Sequence, residues 1–381
     1  MKKILIIFGT RPEAIKMSPL IKTLKDDDEF KVITCTSGQH KELVYQVLDL
    51  FEISPDYDFE LMSKTKSLSL SEISAKIMDK LNEVIEIEKP DAIIVQGDTT
   101  TAMISSLCGF YHKIPIIHLE AGLRTNNIYS PFPEEVNRKI ISTYSQINLC
   151  PTERNKLNLI SEGIKDITIY VTGNTVIDSL LLISEKLEKN SILISRTKKT
   201  LSEKLDLSFL SNDYILVTCH RRENHGEGLY SICKAIKEIS LKFPELSIIF
   251  PVHPNPNIRN FVHKDLSNLD NVILCDPFDY VEFIFLLKYC KLIISDSGGI
   301  QEEAPTLGKP VLVTRNETER QEAVESGTVL LVGSDSSKIV KSTTNLLNDP
   351  LAYKKMANIN NPYGNGNASK LISGILKKHK F

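Results

Sequence analysis

The sequence has no marked excess of charge and no cysteine pattern typical of a disulfide scaffold. Its 46 lysine and arginine residues nearly balance 48 aspartate and glutamate residues, which leaves a net charge of −2. That balance excludes the basic surface expected of a protein that binds nucleic acid or an anionic membrane. The seven cysteines are odd in number and include no Cys-x-x-Cys pair. They therefore favour reduced thiols packed in the core of a cytoplasmic protein.

Long apolar runs and the common nucleotide-binding fingerprints are also absent. The first apolar run, residues 4–8, is followed by Gly9, Arg11 and Pro12, so it is too short for a signal peptide or a membrane span. We interpret it as a buried strand. The turn after it lacks the G-x-x-x-x-G-K and G-x-G-x-x-G spacings, so neither a Walker loop nor a nicotinamide cofactor is indicated. No metal is expected, because the histidines lack i, i+4 pairing.

The pattern that is present predicts an α/β protein. A chain of 381 residues exceeds what one hydrophobic core usually supports, so two domains are expected. Short, nearly continuous apolar runs alternate with helical patterns, which is typical of parallel sheets covered by helices on both faces. The boundary is predicted near residues 172–175. The predicted strands are residues 4–8, 32–36, 92–95, 115–118, 147–149, 167–171, 214–218, 246–251, 272–274, 292–294, 311–313 and 329–332.

One strand leads into a helix through Ser297, Gly298 and Gly299. Backbone N–H groups at such a junction, together with the helix dipole, suit a phosphate, and glycine allows its close approach. Glu303, one turn further on, is placed to accept hydrogen bonds from a ribose diol. The alternative is an ordinary helix start followed by two solvated acids, and Glu302 is expected at the surface.

The first strand leads to Arg11 and Lys16 at the start of a helix. Cations are disfavoured there unless an anion offsets them, so the pair indicates an anionic ligand or, alternatively, a surface ion pair.

Three acids follow predicted strands in the first half, namely Asp98, Glu120 and Glu134. Each could cap a helix or pair with an arginine, but carboxylates gathered at one sheet edge suit proton transfer. In the second half His220 stands beside two arginines, which suggests phosphate contact or acid–base catalysis.

Taken together, the motifs carry a resemblance to a known family. The segments GTRPEAIKMSPL, QGDTTT, HLEAGLRT, SPFPEEVNR, TGNTVID, HRREN, DSGGIQEEAPTLGKPVLV, TERQEA and NPYGNGNAS together resemble the non-hydrolysing UDP-N-acetylglucosamine 2-epimerases of bacteria. The resemblance implies two Rossmann-like doubly wound domains facing a cleft, as in the glycosyltransferase-B fold. The expected domains are 1–174 with 366–381, whose helix returns to the first domain, and 175–365, which binds UDP.

The resemblance also implies an activity, partners and site residues. The expected reaction converts UDP-GlcNAc to UDP-ManNAc through elimination and re-addition of UDP, in a homodimer, and supplies cell-surface polysaccharide. A hydrolysing 2-epimerase, a glycosyltransferase and a non-catalytic sensor are the alternatives. Positions tied to catalysis are Arg11, Lys16, Asp98, Glu120, Glu134 and His220. Positions that hold UDP are Arg11, His220, Phe283, Ser297, Gly298, Gly299, Glu303 and Arg320.

Two departures from the family pattern bear on ligand binding. Phe278 replaces a glutamine that some relatives carry near the uracil region, so uracil recognition through an amide is in doubt there. Some Gram-positive relatives bind a second UDP-GlcNAc as an activator, and Gln39, His40 and His253 match part of that site. Glu42 and Thr65 fall where those relatives carry glutamine and arginine, so activation is an open question.

Overall fold

The chain forms two compact α/β units. The computed structural model describes residues 1–38, 41–61, 68–219 and 226–381. The first unit comprises Met1–Ser179 and Tyr363–Phe381, and the second comprises Leu180–Pro362. In those described ranges, no helix is both long enough and apolar enough to cross a lipid bilayer.

Each unit is built on one sheet in which all neighbouring strands are parallel. The first sheet has seven strands in the order β3-β2-β1-β4-β5-β6-β7, and the second has six in the order β10-β9-β8-β11-β12-β13. Both orders are of the doubly wound Rossmann type. The strands are β1 (Lys2–Phe8), β2 (Phe30–Thr36), β3 (Tyr57–Asp58), β4 (Ala92–Gln96), β5 (Ile116–Leu119), β6 (Ile147–Cys150), β7 (Ile169–Val171), β8 (Tyr214–Thr218), β9 (Ser247–Pro251), β10 (Val272–Cys275), β11 (Leu292–Ser295), β12 (Val311–Val313) and β13 (Val329–Leu331).

Helices connect the strands, and α7 crosses from the first unit into the second. They are α1 (Arg11–Lys25), α2 (Lys41–Phe51), α3 (Leu70–Glu88), α4 (Thr100–Tyr111), α5 (Glu134–Tyr144), α6 (Glu153–Ser161), α7 (Thr175–Lys189), α8 (Ser191–Ser202), α9 (Glu227–Lys242), α10 (Pro256–Leu266), α11 (Tyr280–Tyr289), α12 (Gly298–Glu303), α13 (Gln321–Ser326), α14 (Ser336–Asn348), α15 (Pro350–Ala357) and α16 (Ala368–Lys378).

The predicted fold class is confirmed, because every predicted apolar run is a strand of one of the two parallel sheets. Residues 4–8 at the centre of β1 are fully buried, as a strand covered on both faces requires. All seven cysteines are buried and none is in a disulfide, as predicted. The short edge strand β3 was not predicted. It pairs with the end of β2 through Cys35 opposite Tyr57, and two residues are too few to leave a periodic signal.

The last helix packs in the first unit, far in sequence from its partners. The Lys377 Nζ lies 2.7 Å from the Asp27 carboxylate, just beyond the end of α1. The Lys2 Nζ donates to the carbonyl oxygens of residues 376, 377 and 379 at 2.6–2.7 Å. A lysine in this place satisfies carbonyls that the end of α16 leaves without a helical partner.

Gly122, in the turn after β5, illustrates how tightly the first unit packs around its loops. Its φ is +88°, and an added Cβ would collide with the carbonyl oxygen of Asn155. Gly163 has a similar φ of +85°, but no atom lies within 4 Å of the place of its Cβ. The two glycines therefore share a backbone requirement and differ in the space around them.

We expect Gly122→Ala to destabilise the protein more than Gly163→Ala. Both variants bear the cost of a left-handed residue with a Cβ, about 1–2 kcal/mol. The Gly122 variant must also displace the backbone of α6, which adds about 1–3 kcal/mol. Urea unfolding followed by circular dichroism measures both. Equal losses of unfolding free energy in the two variants would contradict this prediction, because they would show that the backbone of α6 moves aside without an energetic penalty.

Candidate functional site

Candidate residues gather where strand order reverses in the first sheet. The chain turns to opposite sides after β1 and β4, which are neighbours in the sheet. In such folds a crevice opens beyond the carboxyl ends of these two strands, and ligands bind there. Residues 9–16 follow β1, and residues 97–99 follow β4.

Glu120 is the most constrained acid of this group. Its φ is +64°, a left-handed conformation that is uncommon for residues other than glycine. Its side chain is buried, and the Lys16 Nζ lies 2.6 Å from each carboxylate oxygen. Amide groups of Gln96 and Asn174 also donate to it, the latter at 3.1 Å. A strained backbone held by several polar contacts is typical of functional sites.

Asp98 belongs to a second polar chain, which continues into helix α5. The Asp98 Oδ2 accepts a hydrogen bond from Arg138 Nε at 2.8 Å, and the Arg138 Nη2 lies 2.7 Å from the same oxygen in an ion pair. The Arg138 Nη1 donates to the buried carboxylate of Glu135 at 2.9 Å. Glu135 also accepts from the backbone N–H groups of Thr125 and Asn126, each at 3.0 Å. Arg138 thus ties Asp98 to α5 and to the loop that precedes it.

Glu134 begins α5 and differs from its neighbours. Its Oε2 atom is buried, yet no hydrogen-bond partner for it lies in the ranges that the structure describes. A buried polar atom of this kind calls for an explanation such as a catalytic role or a bound ligand.

Glu13 and Arg11 lie in the first turn of α1. Glu13 is buried and accepts hydrogen bonds from Gly9 N, Thr10 N, Thr10 Oγ1 and Thr99 Oγ1, at 2.7–3.0 Å. Burial raises the pKa of Glu13, while the hydrogen bonds from Thr99, Thr10 and Gly9 oppose that rise. The half-buried Arg11 has no ion-pair partner within the described part of the chain.

His118 lies fully buried beneath the turn that carries Asp98. Its Nε2 donates to the carbonyl oxygen of Gly97 at 2.7 Å, which identifies the protonated nitrogen. Burial lowers the pKa of His118 to about 4, against a smaller opposing effect of the Gly97 hydrogen bond. The ring is therefore neutral near pH 7 and supports the Gly97–Asp98 turn.

This pKa predicts a loss of stability in mild acid. The unfolded chain binds a proton at this imidazole near pH 6.5, and the folded chain only near pH 4. Above pH 6.5 the imidazole is neutral in both states and does not change the free energy of unfolding. Between pH 6.5 and pH 4 that free energy falls by about 3 kcal/mol, because only the unfolded chain binds the proton. Denaturant unfolding across this window should show a shallower pH dependence for His118→Gln than for wild type. The same change at the exposed His112 serves as a control, and identical slopes for wild type and His118→Gln would contradict the prediction.

The second unit presents a different arrangement at its own strand reversal, between β8 and β11. Ser297 precedes α12, and its backbone N–H donates to the Ser295 Oγ at 2.9 Å. An added Cβ at Gly298 would lie 3.2 Å from the Arg320 guanidinium and from the Glu319 carboxylate. At Gly299, which is exposed, the nearest atom would be 3.8 Å away. Protein packing thus accounts for glycine at 298 but not at 299.

Arg320 is held by two acids close to this turn. Its Nε donates to Glu302 Oε1 at 2.8 Å, and its Nη1 to Glu319 Oε1 at 2.5 Å. Burial disfavours the charged form of Glu319, but Arg320 and Arg315 outweigh it and lower the pKa of Glu319 to about 2. The expectation of a surface Glu302 was wrong. Its side chain is 2 % exposed, and its carboxylate accepts a hydrogen bond from the partly buried Arg320 guanidinium.

The remaining predicted residues of the second unit lie on α11 and in the loop before it. Phe283 is half-buried on α11. The Tyr280 hydroxyl lies 3.5 Å from the buried Glu303 carboxylate. Phe278 is 8 % exposed, and the Lys204 Nζ lies 5.5 Å from its ring centroid.

Several predicted residues have no structural description. His220, Gln39 and His40 lie outside the described residues, as does Thr65. The third activator residue, His253, is exposed, and its Nδ1 accepts from the Asn255 N–H at 3.2 Å. Over the described ranges, no group of three His, Cys, Asp or Glu residues could hold a metal ion.

Sequence reasoning did not single out four polar residues of the first unit, Gln96, Asn174, Glu135 and Arg138. A signal existed for Arg138, because it lies four residues after Glu134 and so shares a helix face with it. Asn174 lies 54 residues from Glu120, and no local pattern joins them.

The fold and the two sites define a two-domain Rossmann-like protein of the glycosyltransferase-B type. The sequence model of the UDP-N-acetylglucosamine 2-epimerase family matches residues 22–377. A UDP-N-acetylglucosamine 2-epimerase of Yersinia pestis is 48% identical over 378 residues, which cover 99% of each chain. Its counterpart from Neisseria meningitidis serogroup A is 49% identical, over 99% of this chain and 100% of that one.

Solved structures agree with the sequence relatives. The N. meningitidis UDP-GlcNAc 2-epimerase bound to UDP-GlcNAc has a TM-score of 0.89 at 49% identity, over 99% of this chain and 100% of that chain. The Methanocaldococcus jannaschii enzyme in complex with UDP-GlcNAc and UDP has a TM-score of 0.82 at 34% identity, with the same coverage. The chain belongs to the UDP-N-acetylglucosamine 2-epimerase family.

Proposed function

We propose that this protein reversibly epimerises UDP-GlcNAc to UDP-ManNAc at C2 by eliminating UDP and adding it back. The observation that carries the proposal is the arrangement around Glu120, a buried carboxylate held between Lys16 and two amides at a Rossmann strand reversal. This arrangement occurs in a chain whose full-length relatives carry the name UDP-N-acetylglucosamine 2-epimerase.

The chemistry of the sugar explains why elimination is needed. The hydrogen on C2 is not acidic, because no carbonyl group stands next to that carbon to accept charge. If the C1–O bond breaks as the C2 proton leaves, the electron pair of the C2–H bond forms a C1–C2 double bond. UDP departs with the bonding electrons, and the product is 2-acetamidoglucal. UDP then adds back to C1, while a proton reaches the opposite face of C2.

We assign proton transfer to the acids of the first unit. Asp98, Glu120 and Glu134 supply carboxylates, and a well-placed acid or base contributes roughly 10²–10⁴-fold in rate. The Oε2 atom of Glu134 is buried and has no hydrogen-bond partner among the described residues. An oxygen in that position suits a group that exchanges a proton with the substrate. Which carboxylate serves which face of C2 stays open.

We assign nucleotide binding chiefly to the second unit. The turn of Ser297, Gly298 and Gly299 would hold the diphosphate, with Glu303 at the ribose and Phe283 at the base. The N–H groups of Gly298 and Gly299 would be the main donors, because the Ser297 N–H already donates to Ser295. Arg320, held by Glu302 and Glu319, lies beside the turn and is the further residue that we assign to UDP binding. Arg11, with no described ion-pair partner, and His220 would offset the charge that develops on the departing diphosphate.

Turnover in heavy water tests this mechanism. The protein is incubated with UDP-GlcNAc in D₂O, and both epimers are followed by proton NMR and mass spectrometry. Deuterium should enter C2 of UDP-GlcNAc and UDP-ManNAc. Glu120→Gln, prepared in parallel, should lose roughly 10²-fold or more in rate, which excludes a contaminating enzyme. UDP-ManNAc that keeps its original C2 hydrogen would rule the mechanism out.

Phosphorus NMR of the same mixture separates the two kinds of 2-epimerase. The non-hydrolysing enzyme keeps UDP in sugar-nucleotide form throughout the approach to equilibrium and afterwards. A hydrolysing enzyme releases UDP in step with ManNAc, and this outcome would replace our proposal with that alternative.

The glycine turn gives a second prediction. Gly299→Ala should leave stability unchanged or raised, since alanine favours an exposed helix start. It should weaken UDP binding roughly tenfold, because the methyl group stands where the phosphate approaches. Gly298→Ala should lower both stability and UDP affinity, since it crowds Arg320. Calorimetric titration with UDP measures both affinities. Unchanged UDP affinity in Gly299→Ala would contradict the proposal that the diphosphate binds at this turn.

Two further expectations remain predictions. We propose a homodimer and a role in supplying N-acetylmannosamine for cell-surface polysaccharide. Activation by a second UDP-GlcNAc at Gln39, His40 and His253 is an open question and forms no part of the proposal.

A further inference from the structure

Asn174 lies at the point where three parts of the first unit meet. Its side-chain Nδ2 donates to Glu120 Oε1 at 3.1 Å. Its backbone N–H donates to the carbonyl oxygen of Tyr363 at 2.8 Å, where the chain re-enters the first unit. It directly precedes α7, and it is almost fully buried.

The orientation of the Asn174 amide is determined by its surroundings. The Oδ1 atom accepts the backbone N–H of Val176 at 3.1 Å. Only the amide oxygen can accept that bond, so the NH₂ group must face Glu120. The amide therefore has two functions, one as the cap of α7 and one as a donor to the carboxylate.

The backbone of Asn174 has little freedom to move. Besides the bond to Tyr363, its carbonyl oxygen accepts from Ile177 N at 3.0 Å. The preceding Gly173 packs so closely that an added Cβ would lie 3.0 Å from the Tyr363 carbonyl oxygen. A donor mounted on such a backbone holds its acceptor in one place.

Glu120 needs such a partner more than an ordinary surface acid does. Its left-handed backbone would relax if the side chain were not held. The Lys16 Nζ lies 2.6 Å from both carboxylate oxygens. It balances their charge, but a single point charge does not set the plane of the carboxylate. The amides are directional, with Gln96 on Oε2 and Asn174 on Oε1. Together they define the plane of the carboxylate.

We propose that Asn174 is a positioning residue that sets the orientation of the Glu120 carboxylate for proton transfer. This inference rests on the proposed epimerase function. The alternative is that Asn174 serves only as the helix cap of α7. The two roles separate chemically, because the cap requires an acceptor and the contact with Glu120 requires a donor.

Three substitutions exploit that difference. Asn174→Asp and Asn174→Ser keep an oxygen that can accept the N–H group at the start of α7. Neither keeps the NH₂ group that donates to Glu120 in the wild type at neutral pH. Asn174→Ala removes both functions. If positioning matters, all three lower kcat by roughly 10- to 100-fold, with KM nearly unchanged. Asn174→Ser should keep an unfolding midpoint close to that of wild type, whereas Asn174→Ala should lower it through loss of the cap and Asn174→Asp through repulsion from the Glu120 carboxylate.

The pH profile of Asn174→Asp provides a signature that a structural role would not give. The new carboxylate repels Glu120 at neutral pH, and on protonation it becomes a donor. The activity of this variant relative to wild type should therefore rise as pH falls. Among the described residues, Lys16 on α1, Gln96 at the end of β4 and the buried, neutral His118 on β5 also act on Glu120, and they are common to both proteins.

Asn190 provides a matched control, because it caps α8 in the same way. Its Oδ1 accepts from Ile192 N at 3.1 Å and from Leu193 N at 3.0 Å. The same three substitutions there should leave kcat unchanged.

The outcomes distinguish this inference from the proposed function. If wild type converts UDP-GlcNAc but Asn174→Asp and Asn174→Ser retain full kcat, the positioning role is wrong and the cap suffices. If wild type shows no conversion, the proposed function fails. The crystal structure of Asn174→Ser then decides the inference alone, since an unmoved Glu120 carboxylate would overturn it.

Discussion

The buried ion pair between Lys16 and Glu120 is the interaction on which the first site depends. Two charges removed from water are costly, and their attraction compensates only if the remaining donors and acceptors are satisfied. Gln96 and Asn174 meet that requirement. The four residues come from α1, the end of β4, the turn after β5 and the start of α7, so the pair exists only when the whole sheet is assembled. The site is thus a consequence of strand order.

The same strand order is used twice, and the two reversals carry different chemistry. In the first unit, acids gather around Lys16 and Arg138, with a neutral His118 beneath them. In the second, a glycine turn lies against one arginine that is shared by two glutamates. Carboxylates suit proton transfer, and exposed backbone N–H groups suit anions. Because the strand order around the two reversals is the same, the difference between the two sites lies in the loops that follow the strands.

The fold was largely readable from the sequence, and the site was readable only in part. Buried parallel strands are continuous apolar runs, so local pattern located them all except the two-residue β3. Glu120, Asp98 and Ser297 could be named as candidate site residues because each follows a predicted strand. Partners could not be found in this way, since Lys16 and Glu120 are 104 residues apart. Glu302 was misplaced for the same reason, because only the fold brings Arg320 to it.

The buried acids of the first unit differ in how completely the protein satisfies them. Glu13 accepts four hydrogen bonds from the turns beside it, and a carboxylate so occupied holds loops together. Glu120 is bound by a lysine and two amides, which hold its carboxylate in one orientation. Glu134 keeps one buried oxygen without a described partner. Since an unsatisfied buried oxygen is costly, its retention is most simply explained by a partner that arrives with the substrate. The number of hydrogen bonds that the protein supplies therefore distinguishes Glu13 and Glu120 from Glu134, the acid that we propose contacts the ligand.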